Sequence, residues 1–267
     1  MEKINEAAFY KKIREEIVQY IRDFVKDKSV IVGLSGGIDS SIVCALAVEA
    51  LGKDKVKALI VKNSRYSESN LQTSRDYAKK LGIETQEINS NDLRSGAIRE
   101  IGIHESNIIE VSTMDARICD TIIKTYAGME DRIYLGTING TERLTGWYPK
   151  GNLVGDCCPI GGLLKEQEKE LAKEMGLGYL IETISEDASR VCSGCGELPV
   201  FKGIPYSTLD EVLYIYETSN KDELKEKLEK ANIDQDVSSR ILNRIDCVVH
   251  KSDVFPEYYK INFPNEK

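Results

Sequence analysis

The sequence predicts an α/β protein: a doubly wound, five-stranded parallel sheet with helices on both faces, followed by a helical C-terminal segment. Three observations carry that prediction. Short apolar, β-branched runs alternate with longer segments of helical periodicity, the order that right-handed crossovers between parallel strands require. The sharpest instance is Val30-Ile31-Val32-Gly33-Leu34-Ser35-Gly36-Gly37-Ile38-Asp39-Ser40-Ser41-Ile42-Val43-Cys44-Ala45-Leu46, a strand, a polar glycine turn and an apolar helix. The 267 residues show no internal repeat and no low-complexity linker, so one domain over residues 1–267 is expected, with an N-terminal helix to residue 26 and a C-terminal loop and helices from residue 185.

Apolar positions at Ile4, Ala8, Ile13, Ile17, Val18, Ile21, Phe24 and Val25 predict a helix over residues 4–26. After the first strand and the glycine turn, a helix over 40–51 stops at Gly52. Residues 55–61 form the second strand, 62–70 a loop at its carboxyl end, 71–81 a helix closed by Gly82, and 84–88 a third strand. Residues 89–108 read as loop plus helix and 111–126 as a helix. Residues 132–135 give the fourth strand, 147–162 a glycine-rich loop, 165–175 a helix and 179–184 the fifth strand. Helices over 209–217, 222–231 and 237–249 complete the chain. Ligands of such sheets lie at the carboxyl ends of the strands, so the loops after strands one, two, four and five should converge there.

Composition narrows the function. A net charge of −8 opposes an electrostatic grip on nucleic acid or an anionic membrane. No apolar run reaches membrane-span length and residues 1–5 carry no signal-peptide core, so a cytoplasmic protein is expected. Seven cysteines, an odd number, do not suggest a disulfide framework in that compartment.

The glycine turn is the chemical centre. Gly36 and Gly37 let the backbone bend and approach a ligand. The helix beginning near Asp39 offers unpaired N–H groups and a positive dipole end, a seat for polyphosphate. The turn is not the phosphate loop of kinases or GTPases, which needs Lys-Ser/Thr after its last glycine. Here Asp39 would repel phosphate unless a divalent cation lay between them, which suggests a magnesium ligand; the plainer alternative is an N-cap.

Ser35-Gly36-Gly37-Ile38-Asp39-Ser40-Ser41 resembles the pyrophosphate loop of the ATP pyrophosphatases, of adenine nucleotide alpha hydrolase-like fold, which activate substrates by adenylation. The resemblance narrows to the ammonia-dependent NAD synthetases at Leu135-Gly136-Thr137 with Glu142 five residues on, Thr145-Gly146-Trp147-Tyr148, Asp156, Pro159-Ile160, Leu164-Lys165-Glu166-Gln167, residues 204–214 and His250-Lys251. It implies ATP-dependent amidation of deamido-NAD through an adenylated carboxylate, with release of AMP and pyrophosphate. ATP would be held by Gly33, Leu34, Ser35, Gly36, Gly37, Ile38, Asp39, Ser40, Thr137, Lys165 and Ser185. Magnesium would lie on Asp39 and Glu142, Asp39 and Lys165 would carry catalysis, and the small-molecule carboxylate would contact Arg117, Lys150, Asp156, His250 and Lys251. A homodimer is implied, as is free ammonia or a separate nitrogen or sulfur donor protein.

Each residue also has a plainer reading. Glu142 suits a helix start, Arg117 a surface ion pair, His250 and the Trp147-Tyr148 pair packing. Lys165 begins a helix, where the dipole disfavours it, which suggests a phosphate partner. The acceptor loops depart from the family: residues 150–156 are one residue short and lack the first acid, Thr113, Asp115 and Cys119 surround Arg117, and residues 192–200 replace an acidic segment. Cys157, Cys158, Cys192 and Cys195 fall in these loops, where a zinc ion or iron–sulfur cluster is the alternative to small buried hydrophobes. Two rival functions follow, a sulfur transferase on the same adenylation chemistry and a non-catalytic adenine-nucleotide sensor.

Overall fold

The computed structural model describes residues 6–64, 66–181 and 201–261. Helix α1 (Glu6–Val25) leads into β1 (Ser29–Gly33), and α2 (Ile38–Leu51) follows the glycine turn. Then come β2 (Val56–Lys62), α3 (Glu68–Leu81), β3 (Glu84–Asn89), α4 (Asn91–Ile101), α5 (Ile108–Met129) and β4 (Arg132–Leu135). The chain continues through α6 (Gly140–Thr145), β5 (Cys157–Cys158), α7 (Lys165–Glu174), α8 (Tyr206–Thr218), α9 (Lys221–Lys230), α10 (Gln235–Val248) and β6 (Glu257–Tyr258).

The strands form one parallel sheet in the order β3-β2-β1-β4-β5-β6, with Val30 opposite Val56 on one side and Ile133 on the other. Side chains alternate across it. Val30, Val32, Ala58, Ile60 and Leu135 pack beneath α1, α2, α3 and α7, against Ile17, Ile21, Ile42, Leu46, Tyr77 and Leu171. Ile31, Leu59, Val61 and Tyr134 pack on the opposite face against Ile122, Ile123 and Ala127 of α5. That is the doubly wound arrangement the alternating pattern predicts. The C-terminal helices build a separate cluster around Phe201, Leu209, Leu213, Ile241 and Ile245, into which Leu164 reaches.

The strand count differs from the expectation. Residues 179–184 were expected to form the fifth strand, but Gly178–Leu180 is a single 3-10 turn and residues 182–184 lie outside the described residues. The fifth strand is the two-residue β5 inside the expected loop, and β6 adds a sixth. β5 is placed by a backbone crossing: a Cβ on Gly136 or on Gly155 would collide with the backbone of the other segment. Gly136 N–H donates to Cys157 O (2.8 Å) and Asp156 N–H to Tyr134 O (2.7 Å).

That strand also decides the Cys157-Cys158 question. Neighbours in a strand face opposite ways: Cys157 enters the cluster beneath α1 and α2, Cys158 the cluster of Ile138, Tyr148 and Val154. Burial pushes the Cys157 thiol up to about 12 and Cys158 well above its ordinary value. Cys158 Sγ donates to Ile138 O. The pair therefore cannot present two thiolates to one zinc ion or cluster, and the small-hydrophobe alternative holds for both. Cys192 and Cys195 lie outside the described residues. Among the described residues no group of three or more His, Cys, Asp or Glu is placed to hold a metal, and no helix is long and apolar enough to cross a membrane.

Candidate active site

The carboxyl ends of β1 and β4 lie side by side, Val32 paired with Leu135. The turn after β1 therefore meets the segment 136–139 after β4. Gly36 takes φ +84°, and a Cβ there would approach Asn70 O to 2.6 Å, so glycine is required by both backbone and space. α2 begins after Gly37 with no side-chain cap, which leaves its first-turn amides without an intrahelical partner. The turn is held open by its own hydroxyls. Ser35 N–H donates to Ser40 Oγ (3.2 Å), Gly37 N–H to Ser35 Oγ (3.3 Å) and Ser41 Oγ–H to Gly37 O (2.8 Å). Leu34 and Ile38 are core residues that fasten the turn, and Gly33 leaves room for Ile123.

Over this turn sits a polar network. Lys165 Nζ, in the first turn of α7, donates to Asp39 Oδ2 (2.8 Å) and to Glu168 Oε2 (2.9 Å). Asn139 Nδ2 donates to Asp39 Oδ1 (2.6 Å). The same Asn139 caps α6: its Oδ1 accepts from Glu142 N–H (2.9 Å), and its N–H donates to Glu142 Oε2 (3.0 Å). One side chain thus ties Asp39 to Glu142. Thr141 Oγ–H donates to Asp210 Oδ1 (2.6 Å) and accepts from Lys165 N–H (2.9 Å), while Asp210 Oδ2 accepts from Glu166 N–H (2.7 Å). Asp210 of α8 thereby fixes the start of α7, and its burial pushes its carboxyl up to about 6.

The charges are unequal. Burial pushes Asp39 up, but Lys165 and Asn139 outweigh it and hold the carboxyl below the usual range. Burial alone would lower Lys165, yet Asp39, Glu168 and Glu142 together raise it well above the usual lysine value. Burial and Asp39 push Glu168 well up. Glu168 is fully buried and, among the described residues, its Oε1 has no hydrogen-bond partner. Three carboxyl groups thus lie about one ammonium group, an arrangement that suits a ligand bringing cations and phosphates together.

At the acceptor side the expected residues divide. Lys251 Nζ donates to Gly146 O (2.6 Å) and Tyr148 O (2.7 Å), and Asp156 Oδ2 accepts from Tyr134 N–H (2.8 Å); both brace backbone. Burial, then the charges of Arg244 and Arg117, lower the Lys251 value. Lys150 and His250 are exposed. Thr137 lies just past β4, and Ser185 lies outside the described residues. Sequence reasoning gave no role to Asn139, Glu168 or Arg244, and named Asp210 only within the resemblance over residues 204–214. Asn139 alone carried a local signal, the Asn-x-x-Glu capping box.

Comparison with known proteins gives the family of the chain. The family model described as NAD synthase matches residues 9–254. The NH3-dependent NAD+ synthetase of Methanocaldococcus jannaschii is 32% identical over 253 residues, 91% of this chain and 96% of that protein. The one from Methanosarcina mazei is 32% identical over 251 residues, 90% and 96% of the two chains. Among solved structures, the NH3-dependent NAD synthetase of Campylobacter jejuni superposes with a TM-score of 0.74 at 25% identity, covering 96% of this chain and 99% of that one. An NMN synthetase from Francisella tularensis, at 20% identity, covering 98% of this chain and 100% of that one, with TM-score 0.69, shares the fold. The family model spans most of the chain, and the chain belongs to the NAD synthase family.

Proposed function

We propose that this protein, as a single ATP pyrophosphatase-like domain, converts deamido-NAD to NAD with ATP and ammonia, releasing AMP and pyrophosphate. One observation carries the reading: uncapped amides of α2, Lys165, and two carboxylates joined by Asn139 meet at one point on the carboxyl edge of the sheet. A carboxylate is a poor acyl donor. Its oxygen attacks the α-phosphorus of ATP and pyrophosphate departs; ammonia then attacks the acyl carbon, AMP departs and one ammonia proton is lost. The turn's amides and Lys165 stabilise negative charge as it moves onto the departing pyrophosphate. Their donors point at fixed positions because the serine hydroxyls and Asp210 hold turn and helix in place.

Magnesium fits this site. The donors are the carboxylate oxygens of Asp39 and Glu142, brought together through Asn139, and the ion ordinarily takes only one or two carboxylates beside substrate phosphates. Asp39 and Glu142 would hold it, and when bound it would neutralise phosphate charge beside Asp39. Thr137 and Ser185 would contact ATP. Arg117, Arg244 and Lys251 would face the anionic acceptor, with Lys150, Asp156 and His250 around it. The chain acts as a cytoplasmic homodimer supplied with free ammonia. Leu93 and Ile101 of α4 and Ile108 and Ile109 of α5, all half exposed or more, offer the apolar surface such a dimer would cover.

The test is NAD formation with stoichiometric AMP from deamido-NAD, ATP, magnesium and ammonium. Nucleotide bound without AMP release under those conditions would sink the reading. Release only with another carboxylate, nicotinate mononucleotide included, would move the acceptor and keep the activation chemistry.

A further inference from the structure

Glu168 lies in the site without a part in the reaction just described. Its side chain is fully buried on α7, with Oε2 2.9 Å from Lys165 Nζ and 3.5 Å from Asn139 Nδ2. Its Oε1 is buried with no hydrogen-bond partner among the described residues. Burying a carboxylate with an oxygen unsatisfied is costly. An i,i+3 pair with lysine is too weak to offset that. The fold does not need an acid there, since the neighbouring buried positions Leu171 and Ala172 of the same helix are apolar.

Lys165 is committed twice, to Asp39 at 2.8 Å and to Glu168 at 2.9 Å. With the roles given above, Asp39 must turn to magnesium and Lys165 to phosphate, so the bond between them has to break when MgATP binds. We propose that Glu168 is a positioning residue that keeps hold of Lys165 through this exchange. When Asp39 turns to the metal, Glu168 anchors the ammonium group, and its unpartnered Oε1 accepts the N–H that Asp39 gives up. Lys165 then stays charged and within reach of the phosphates. Without the Glu168 oxygens as second acceptor, Lys165 holds to Asp39 and competes with the metal. The inference rests on the assignment of Asp39 and Lys165 in the proposed reaction.

Calorimetric titration of the full chain with MgATP, and with ATP in the presence of a chelator, tests it. Glu168→Leu, which keeps the bulk and removes both acceptor oxygens, is expected to weaken MgATP binding about tenfold, the scale on which groups behind a metal ligand act. Binding of metal-free ATP and the melting temperature should not change, because Asp39 then retains Lys165. Glu168→Asp should recover most of the MgATP affinity. Equal losses for both forms of ATP, or no loss for either, overturn the proposal, as does a loss that tracks a fall in melting temperature. A wild-type chain that binds MgATP yet releases no AMP with deamido-NAD and ammonium breaks the synthetase reading alone, since the Glu168 comparison is one of binding.

Discussion

At opposite ends of the sheet a lysine lies between two carboxylates, and the two settings differ in how their charges balance. At the amino ends, Lys57 of β2 faces Glu84 of β3 (3.0 Å) and Glu130, while Arg132 of β4 bonds Glu130 (2.7 Å) and Glu84 (3.1 Å). Two cations meet two anions, each bonded to both. At the carboxyl ends, among the described residues, Lys165 alone faces the carboxyl groups of Asp39, Glu168 and Glu142, and one Glu168 oxygen is left over. The first cluster is complete and staples three strands at their start. The second is incomplete without a ligand, and that difference separates a structural ion cluster from a site.

The largest effect should come from the incomplete cluster. Asp39→Asn is expected to reduce AMP release at least about a hundredfold, because the metal loses a charged ligand beside the phosphates. The melting temperature should stay within about 3 °C of wild type, because Lys165 keeps Glu168 as its partner. Turnover and melting temperature measured together decide this. Retained turnover would mean that the site needs no charge at Asp39.

The complete cluster should behave the other way round. Lys57→Met is expected to cost about 2 kcal/mol, below the roughly 3–5 kcal/mol of a fully buried pair, because solvent reaches Glu84. Denaturant unfolding measures the loss, and kcat per folded molecule should not change. A Lys57→Met protein of full stability, or one stable but inactive, would erase the distinction between the two ends.

Much of this contrast was legible in the sequence at one end only. The turn 33–40 is contiguous, so its glycines, its serines and Asp39 announce a phosphate seat locally, and Glu142 and Lys165 follow from family spacing. Glu168 was invisible because α7 reads Lys-Glu-Gln-Glu-Lys-Glu-Leu-Ala-Lys-Glu, where a glutamate three residues after a lysine looks like a solvated pair. Its burial comes from tertiary packing beside Asn139 and Lys165, which no helical pattern reports. β5 was invisible for a related reason. Two residues cannot display a period of two, and the Gly136–Gly155 crossing that places them joins segments nineteen residues apart (155 − 136 = 19). The apolar run at 179–184 imitated a strand because short apolar runs carry no periodicity to separate strand from turn.

The acceptor side gives a smaller effect and sharpens the comparison within the site itself. Arg117 is exposed on α5, its charge acts on Lys251, and among the described residues no backbone hydrogen bond from its side chain is seen. Arg117→Ala is expected to raise KM for deamido-NAD about tenfold, with KM for ATP unchanged, since a lost charge-assisted contact acts on one substrate. Lys251→Ala should raise the same KM and also lower stability, because Lys251 Nζ caps Gly146 O and Tyr148 O. Steady-state kinetics with each substrate varied separates the two, and a parallel rise in both KM values for Arg117→Ala would merge the acceptor cluster with the phosphate end.

The smallest effect returns to the complete cluster and reads its charge through pH. Lys57 first, then Arg132, hold the Glu130 carboxyl below its ordinary value of 4.5. The folded state therefore binds this proton less readily than the unfolded chain, so the ion pairs contribute stability above pH 4.5 that is lost as the pH falls through the lowered folded value. Glu130→Gln should be less stable than wild type by about 1 kcal/mol at neutral pH, a modest figure because the side chain is partly exposed. Urea denaturation of both proteins at a series of pH values should show the gap constant from pH 7 down to the carboxylate range and closing below it. A gap that persists in acid would assign the role of Glu130 to packing at the end of α5, and the balanced charges at the amino ends would then not be what holds the strands together there.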